Sequence, residues 1–196
     1  MKTTRLEIFS DGVFAIAATL LIIDVSVDAP GAQLGAALKH AWPQYAAYAV
    51  SFLVIGVWWV NHHACMVMID RVDRTLLFGT IAGLACIAFL PFPTRLVAEH
   101  FRDDGVRAAT ITYGLTETAA AICFTFIWFH AAHRRRLIAS RTNQRKVDAL
   151  SRSLIPGVPV NAAVTLVALW SPYTALVLFA ALNLFYVFGS SLFEPH

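Results

Sequence analysis

Apolar residues run along this chain in six long blocks separated by short polar stretches. The blocks cover about residues 6–27, 43–61, 76–97, 106–129, 154–170 and 173–193. A hydrocarbon core of ~30 Å needs about 20 helical residues to cross it. The pattern therefore predicts an all-α integral membrane protein with six transmembrane helices. Pro43 suits the first turn of the second helix, where a missing N–H costs nothing. The third block is interrupted by LPFPTR at 90–95, and the fifth holds Pro156 and Pro159, so its start is expected to be irregular. Pro172 cannot continue the helix before it, so Trp170-Ser171-Pro172 separates the last two blocks. The longest polar stretch, 133–153, reads as a loop. With no extramembrane domain and no internal repeat, residues 1–196 read as one six-helix transmembrane domain.

Composition narrows the class. The chain is 58% hydrophobic and 14% charged, with a mean hydropathy of +0.65. Ordinary globular chains carry about 25% charged residues. The cysteines, Cys65, Cys86 and Cys123, are odd in number and lack metal or redox spacing, so free thiols are expected. No P-loop, GxGxxG, HExxH or GxSxG motif occurs, so no enzyme class is signalled. Acidic Glu7 and Asp11 precede the first apolar run, which argues against a cleaved signal peptide.

The basic residues set an orientation. Lys2 and Arg5, then Arg71 and Arg74, then Arg134, Arg135, Arg136, Arg141, Arg145, Lys146 and Arg152 fall on one side. They are eleven of the fifteen; Lys39, Arg95, Arg102 and Arg107 fall on the other. The positive-inside rule then makes both termini cytoplasmic in a multi-pass protein of the cell membrane. The Arg134–Arg136 run is read as this topology signal rather than as a lipid-headgroup site.

The first block is the unusual one. Its uncharged stretch, 12–23, has only 12 residues, with Asp11 at one end and Asp24 at the other. Intramembrane Asp11 needs a partner. Two readings stand: a hydrogen bond to His62 at the end of the second helix, or simple capping of a frayed helix start by Ser10 and Asp11. Helical spacing sets Gly12, Ile16, Thr19 and Ile23 on one stripe, with Leu20 beside them. Periodicity alone does not say whether that stripe faces lipid, core or a pore. Leu21 and Ile22 fall off the stripe and are expected to face lipid.

Together these residues resemble one family. RLEIFSD, with Arg5, Phe9, Ser10 and Asp11, matches the R-x-x-x-F-S-D signature of the transmembrane protein 175 family of potassium channels. WVNH, with Trp59 and His62, resembles its W-x-x-H element, and Asp73 followed by an apolar run ending in FLPFPT resembles its third helix. Gly79-Thr80 stand where bacterial relatives carry a polar Asn early in that helix.

The resemblance implies a homotetramer of six-helix subunits around a central pore lined by helix one. It implies a potassium-preferring cation leak channel with a hydrophobic constriction at Ile16, Leu20 and Ile23 and a selectivity hydroxyl at Thr19. Arg5, Phe9, Ser10, Asp11, Trp59, His62 and Asp73 would form a structural polar network, with Arg5 joined through Asp73 or a carbonyl. Asp24 would sit at the pore mouth, where a carboxylate ring concentrates cations. Expected partners are further copies of the chain, membrane lipids, and potassium with other monovalent cations. Neither a cofactor, a bound metal nor nucleic acid is expected.

Two rivals come from other classes. A proton-coupled secondary transporter would use the proline-broken helices, with Glu117 carrying a proton. An intramembrane metal enzyme would need His62, His63, Asp70 and Asp73 together, although Arg71 and Arg74 beside them repel a cation.

Overall fold

The computed structural model describes residues 3–27 and 29–192. Lys2 and Phe193, used in the topology and in the last block, lie outside the described residues. The elements run α1 (Thr4–Leu20), a 3-10 turn (Leu21–Asp24), a second 3-10 turn (Gly31–Gln33), α2 (Leu34–His40), α3 (Trp42–Met68), α4 (Arg74–Phe89) and α5 (Pro91–Glu99). They continue as α6 (Val106–Ala132), a 3-10 turn (His133–Arg135), α7 (Gln144–Leu154), α8 (Gly157–Val167) and α9 (Pro172–Leu192). Among the described residues the one β feature is an isolated antiparallel bridge, Ile69 to Ile138.

Among the described residues, five helical stretches are long and apolar enough to cross a membrane: Thr4–Asp24, Trp42–Met68, Arg74–Glu99, Val106–Ala132 and Gln144–Val167. The last helix, α9 (Pro172–Leu192), is also apolar. The third stretch is interrupted within LPFPTR, as the sequence pattern predicts. Pro91 has no N–H for the ladder, so α4 stops at Phe89 and α5 restarts with Pro91 in its first turn.

Three boundaries differ from the pattern. The second helix was expected to end at 61 but α3 runs on to Met68, because AsnHisHis interrupts hydropathy without breaking the backbone. The expected loop 133–153 is largely helical from Gln144. Asn143 caps α7 by accepting from the Arg145 N–H at 2.9 Å, and Val147, Leu150 and Leu154 recur at helical spacing toward the bundle. A short helix, α2, occupies the stretch before the second block, where no element was expected.

Helix α6 is the hub, packing against α4, α5, α8 and α9. It approaches α8 and α9 closely because Gly114 has no side chain. A Cβ there would lie 2.9 Å from Thr165 Cγ2 and 3.0 Å from Phe179 Cζ. Small residues at such crossings let membrane helices gain dispersion contact that lipid cannot supply. At the α6 end, two hydrogen bonds of 2.9 Å, Asp70 N–H to Leu137 and Ala139 N–H to Met68, tie the segment after α3 to the segment after α6.

Candidate functional site

Helix α1 has two unlike faces. Leu6, Ser10, Phe14 and Ala17 are buried at spacings of four, four and three, and the 3-10 turn adds buried Leu21. That stripe packs on α3 and α4. On the far side no described residue covers Ile16 (60% exposed), Thr19 or Ile23 (69%), and Leu20, nearer the packed edge, is 40% exposed. Leu21 is therefore a packing residue at 1% exposure and not the lipid-facing position expected for it, while Ile22 is exposed. Thr19 donates its hydroxyl proton to the Ile16 carbonyl at 2.9 Å. The hydroxyl oxygen keeps its lone pairs for a donor or a cation, and the residue is exposed.

The polar residues of α1 find different partners from those expected. Asp11 Oδ1 accepts from Trp59 Nε1 at 2.9 Å. His62 is not its hydrogen-bond partner: the ring is buried beside Phe14 and Phe124, with centroids 5.8 and 5.4 Å away, and its Nε2 has no partner among the described residues. Trp59 and His62 are three positions apart, so they point about 60° apart around α3. Asp11 lies on the exposed flank of α1 and meets the residue on the exposed flank of α3, which is Trp59. Trp59 in turn stacks on His63 at 5.9 Å. Ser10 is not a pin between helices either; its hydroxyl donates to Leu6 O in its own helix at 2.8 Å. Phe9 is exposed.

Arg5 is exposed and makes no ion pair among the described residues, and Asp73 is committed elsewhere. Asp73 Oδ1 caps α4 by accepting from Leu76 N–H at 2.8 Å, and Oδ2 meets His130 Nε2 of α6 at 2.8 Å. Partial burial works to raise its pKa, but the Leu76 N–H and His130 outweigh that and hold the carboxyl below the ordinary carboxylate range. Asp24 is not a free carboxylate: Arg95 Nη1 is 4.0 Å away, while Arg95 Nε donates to Glu99 at 2.7 Å.

Sequence reasoning missed three interior hydrogen bonds. Glu117 is 2% exposed in the middle of α6, and its Oε2 accepts from Trp58 Nε1 at 3.1 Å. Ser51 joins α3 to Tyr113 at 3.3 Å and to Thr94 at 2.8 Å. Glu117 was visible as an intramembrane acid, but nothing in the sequence named Trp58 rather than Trp59 as its donor. His62, His63, Asp70 and Asp73 form no metal-ligand group among the described residues.

Residues 5–91, which include α1 from Arg5 onward and the Trp59, His62 and Asp73 positions, match the family described as endosomal/lysosomal potassium channel TMEM175. A protein of Streptomyces collinus named a potassium channel is 45% identical over 146 residues, 72% of this chain and 70% of that one. A second, from Chamaesiphon minutus, is 36% identical over 176 residues, 86% of this chain and 87% of that one. The chain belongs to the TMEM175 family. The likeness extends to the whole TMEM175 fold. The crystal structure of a lysosomal potassium-selective channel TMEM175 homolog from Chamaesiphon minutus matches with a TM-score of 0.87 at 32% identity, covering 96% of this chain and 97% of that one. As a TMEM175 member the chain is a multi-pass membrane protein and an ion channel, not an enzyme.

Proposed function

We propose that four copies of this chain surround a central pore lined by α1 and pass potassium in preference to sodium and other monovalent cations. Each subunit contributes six spans: α1 with its 3-10 turn, α3, α4–α5, α6, the stretch 154–170 that contains α8, and α9. Both termini are cytoplasmic, following the eleven of fifteen basic residues on that side. The whole chain acts as one channel domain.

The observation that carries this reading is the uncovered face of α1 in a chain whose relatives are named potassium channels. Ile16, Leu20 and Ile23 are large and apolar, and they share that face with Gly12 and the Thr19 hydroxyl. Copies of the face turned toward one axis would make successive apolar rings. Such rings exclude water when narrow and gate by dewetting. The Thr19 oxygens would offer partial replacement for hydration lost at the constriction. That gives modest discrimination, because no rigid cage of carbonyls accompanies them. Asp24 would act at the mouth with its field reduced by Arg95.

Reconstitution in liposomes tests the reading. Opposed potassium and sodium gradients should drive potassium flux faster than sodium flux. Thr19→Ala should retain flux and lose part of the preference. Equal rates for the two ions in the wild type, or an unchanged preference in Thr19→Ala, would remove this assignment of selectivity.

A further inference from the structure

The segment between α6 and α8 reads in the sequence as a polar loop with many positive charges. In the structure its second half is a helix, α7, fixed to the bundle on one side only. Val147 and Leu154 are buried, and Trp128 Nε1 of α6 donates to Ser151 Oγ at 2.9 Å. Arg145 and Arg152 are exposed and each precedes one of the two buried residues by two positions. They therefore project about 160° round the helix from the packed face. Arg141 and Lys146 are exposed beside them.

None of the four cations pairs with a carboxylate among the described residues. The one acid on α7, Asp148, accepts instead from Gln144 Nε2 at 2.8 Å. Helix α6 ends at Ala132 and the apolar helix α8 begins at Gly157, so the cluster at 141–152 lies on the polar segment between two apolar helices. Cations at the ends of two apolar helices stand at the depth where a membrane carries its headgroup phosphates.

We propose that the outer face of α7 is a binding site for anionic phospholipid headgroups, with Arg145 and Arg152 as its principal contacts and Arg141 and Lys146 adding to the field. Charge complementarity selects the occupant. Four cations on and beside an amphipathic helix are enough to bind an anionic membrane surface, and the attraction weakens within a Debye length. A free cytosolic anion would lack the fixed proximity that the membrane gives to its own headgroups.

The test uses the full chain in mild detergent with a fluorescent phosphatidylglycerol, competed by unlabelled phosphatidylglycerol or phosphatidylcholine. The wild type should prefer phosphatidylglycerol, and the preference should fall as salt rises. Each cation near an anionic surface contributes roughly fivefold, so R145Q/R152Q should lose at least about tenfold. Elution volume and helix content serve as the check that this variant folds. R145K/R152K keeps the charge and should keep the preference, as should K39Q/R107Q, which removes two cations from other segments. Three results would overturn the site: no lipid preference in the wild type, preference retained in folded R145Q/R152Q, or displacement of the lipid by inorganic phosphate at equal charge. Loss of preference in K39Q/R107Q as large as in R145Q/R152Q would do so too, because net charge rather than α7 would then govern binding.

Discussion

Trp59→Phe and His62→Phe separate the contact that holds α1 from the one the sequence suggested. Trp59→Phe keeps an aromatic ring but removes the indole N–H that Asp11 Oδ1 accepts at 2.9 Å. A hydrogen bond to a charged group contributes about 1.5–3 kcal/mol when well shielded. Trp59 is 42% exposed and Asp11 is exposed, so water can replace part of the lost bond and about 1 kcal/mol is expected. For a chain of this size that corresponds to about 2–4 °C in melting temperature. His62→Phe should cost less. Its Nε2 is buried with no partner among the described residues and its ring already sits against Phe14 and Phe124, so the substitution removes a stranded polar atom. The relief offsets the strain of a slightly larger ring, and the net change should stay within about 1 kcal/mol. Thermal unfolding of both variants in one detergent gives the comparison. A larger loss for His62→Phe than for Trp59→Phe would show that Asp11 is held through the histidine.

Two further outcomes follow from contacts behind the α1 face. Asp73→Ala should cost about 1 kcal/mol through loss of the α4 cap, measured by thermal unfolding. In the wild type the Asp73 carboxyl is depressed in the folded state. Its contribution is full above the ordinary carboxylate pKa, about 4, and lost as pH falls through the lower folded value. Stability of Asp73→Ala should therefore fall less steeply below pH ~4 than that of the wild type; parallel acid limbs would contradict the assignment. Gly114→Ala should destabilise by about 1–3 kcal/mol, because the added methyl would meet Thr165 and Phe179 with little room to move. A melting temperature equal to the wild type would show that α6 and α8 are not in close contact there.

The spans were legible because lipid forces long uncharged helices on the sequence, and the break at Pro91 was legible because proline removes a donor wherever it falls. α7 was not, because hydropathy averaged over Arg145, Lys146 and Arg152 hides the three apolar residues that set its register. The polar contacts were half legible. Asp11 announced a need for a partner, but choosing between Trp59 and His62 depended on how α3 is rotated against α1. A single apolar stripe cannot fix that rotation when the helix is apolar all round. Asp73 was readable as a polar position near a helix start, and yet its second partner, His130, lies 57 residues away on α6. The α1 stripe itself was plain in the periodicity. What distinguished it from a lipid-facing stripe came from the resemblance, and the uncovered Ile16 and Ile23 are compatible with that assignment.

The central claim is that this stripe lines the ion path, and Ile16→Asn tests it most directly. Four amides can hold water where four isoleucine side chains exclude it. Potassium and sodium currents should be recorded in planar bilayers at matched protein levels for the wild type, for Ile16→Asn, and for Val177→Asn at an equally exposed apolar position on α9. Resting current should rise in Ile16→Asn and potassium preference should fall, while Val177→Asn should change protein yield or stability and leave the currents of folded channels unaltered. Currents in Ile16→Asn that match those of Val177→Asn would mean that α1 does not line the pore.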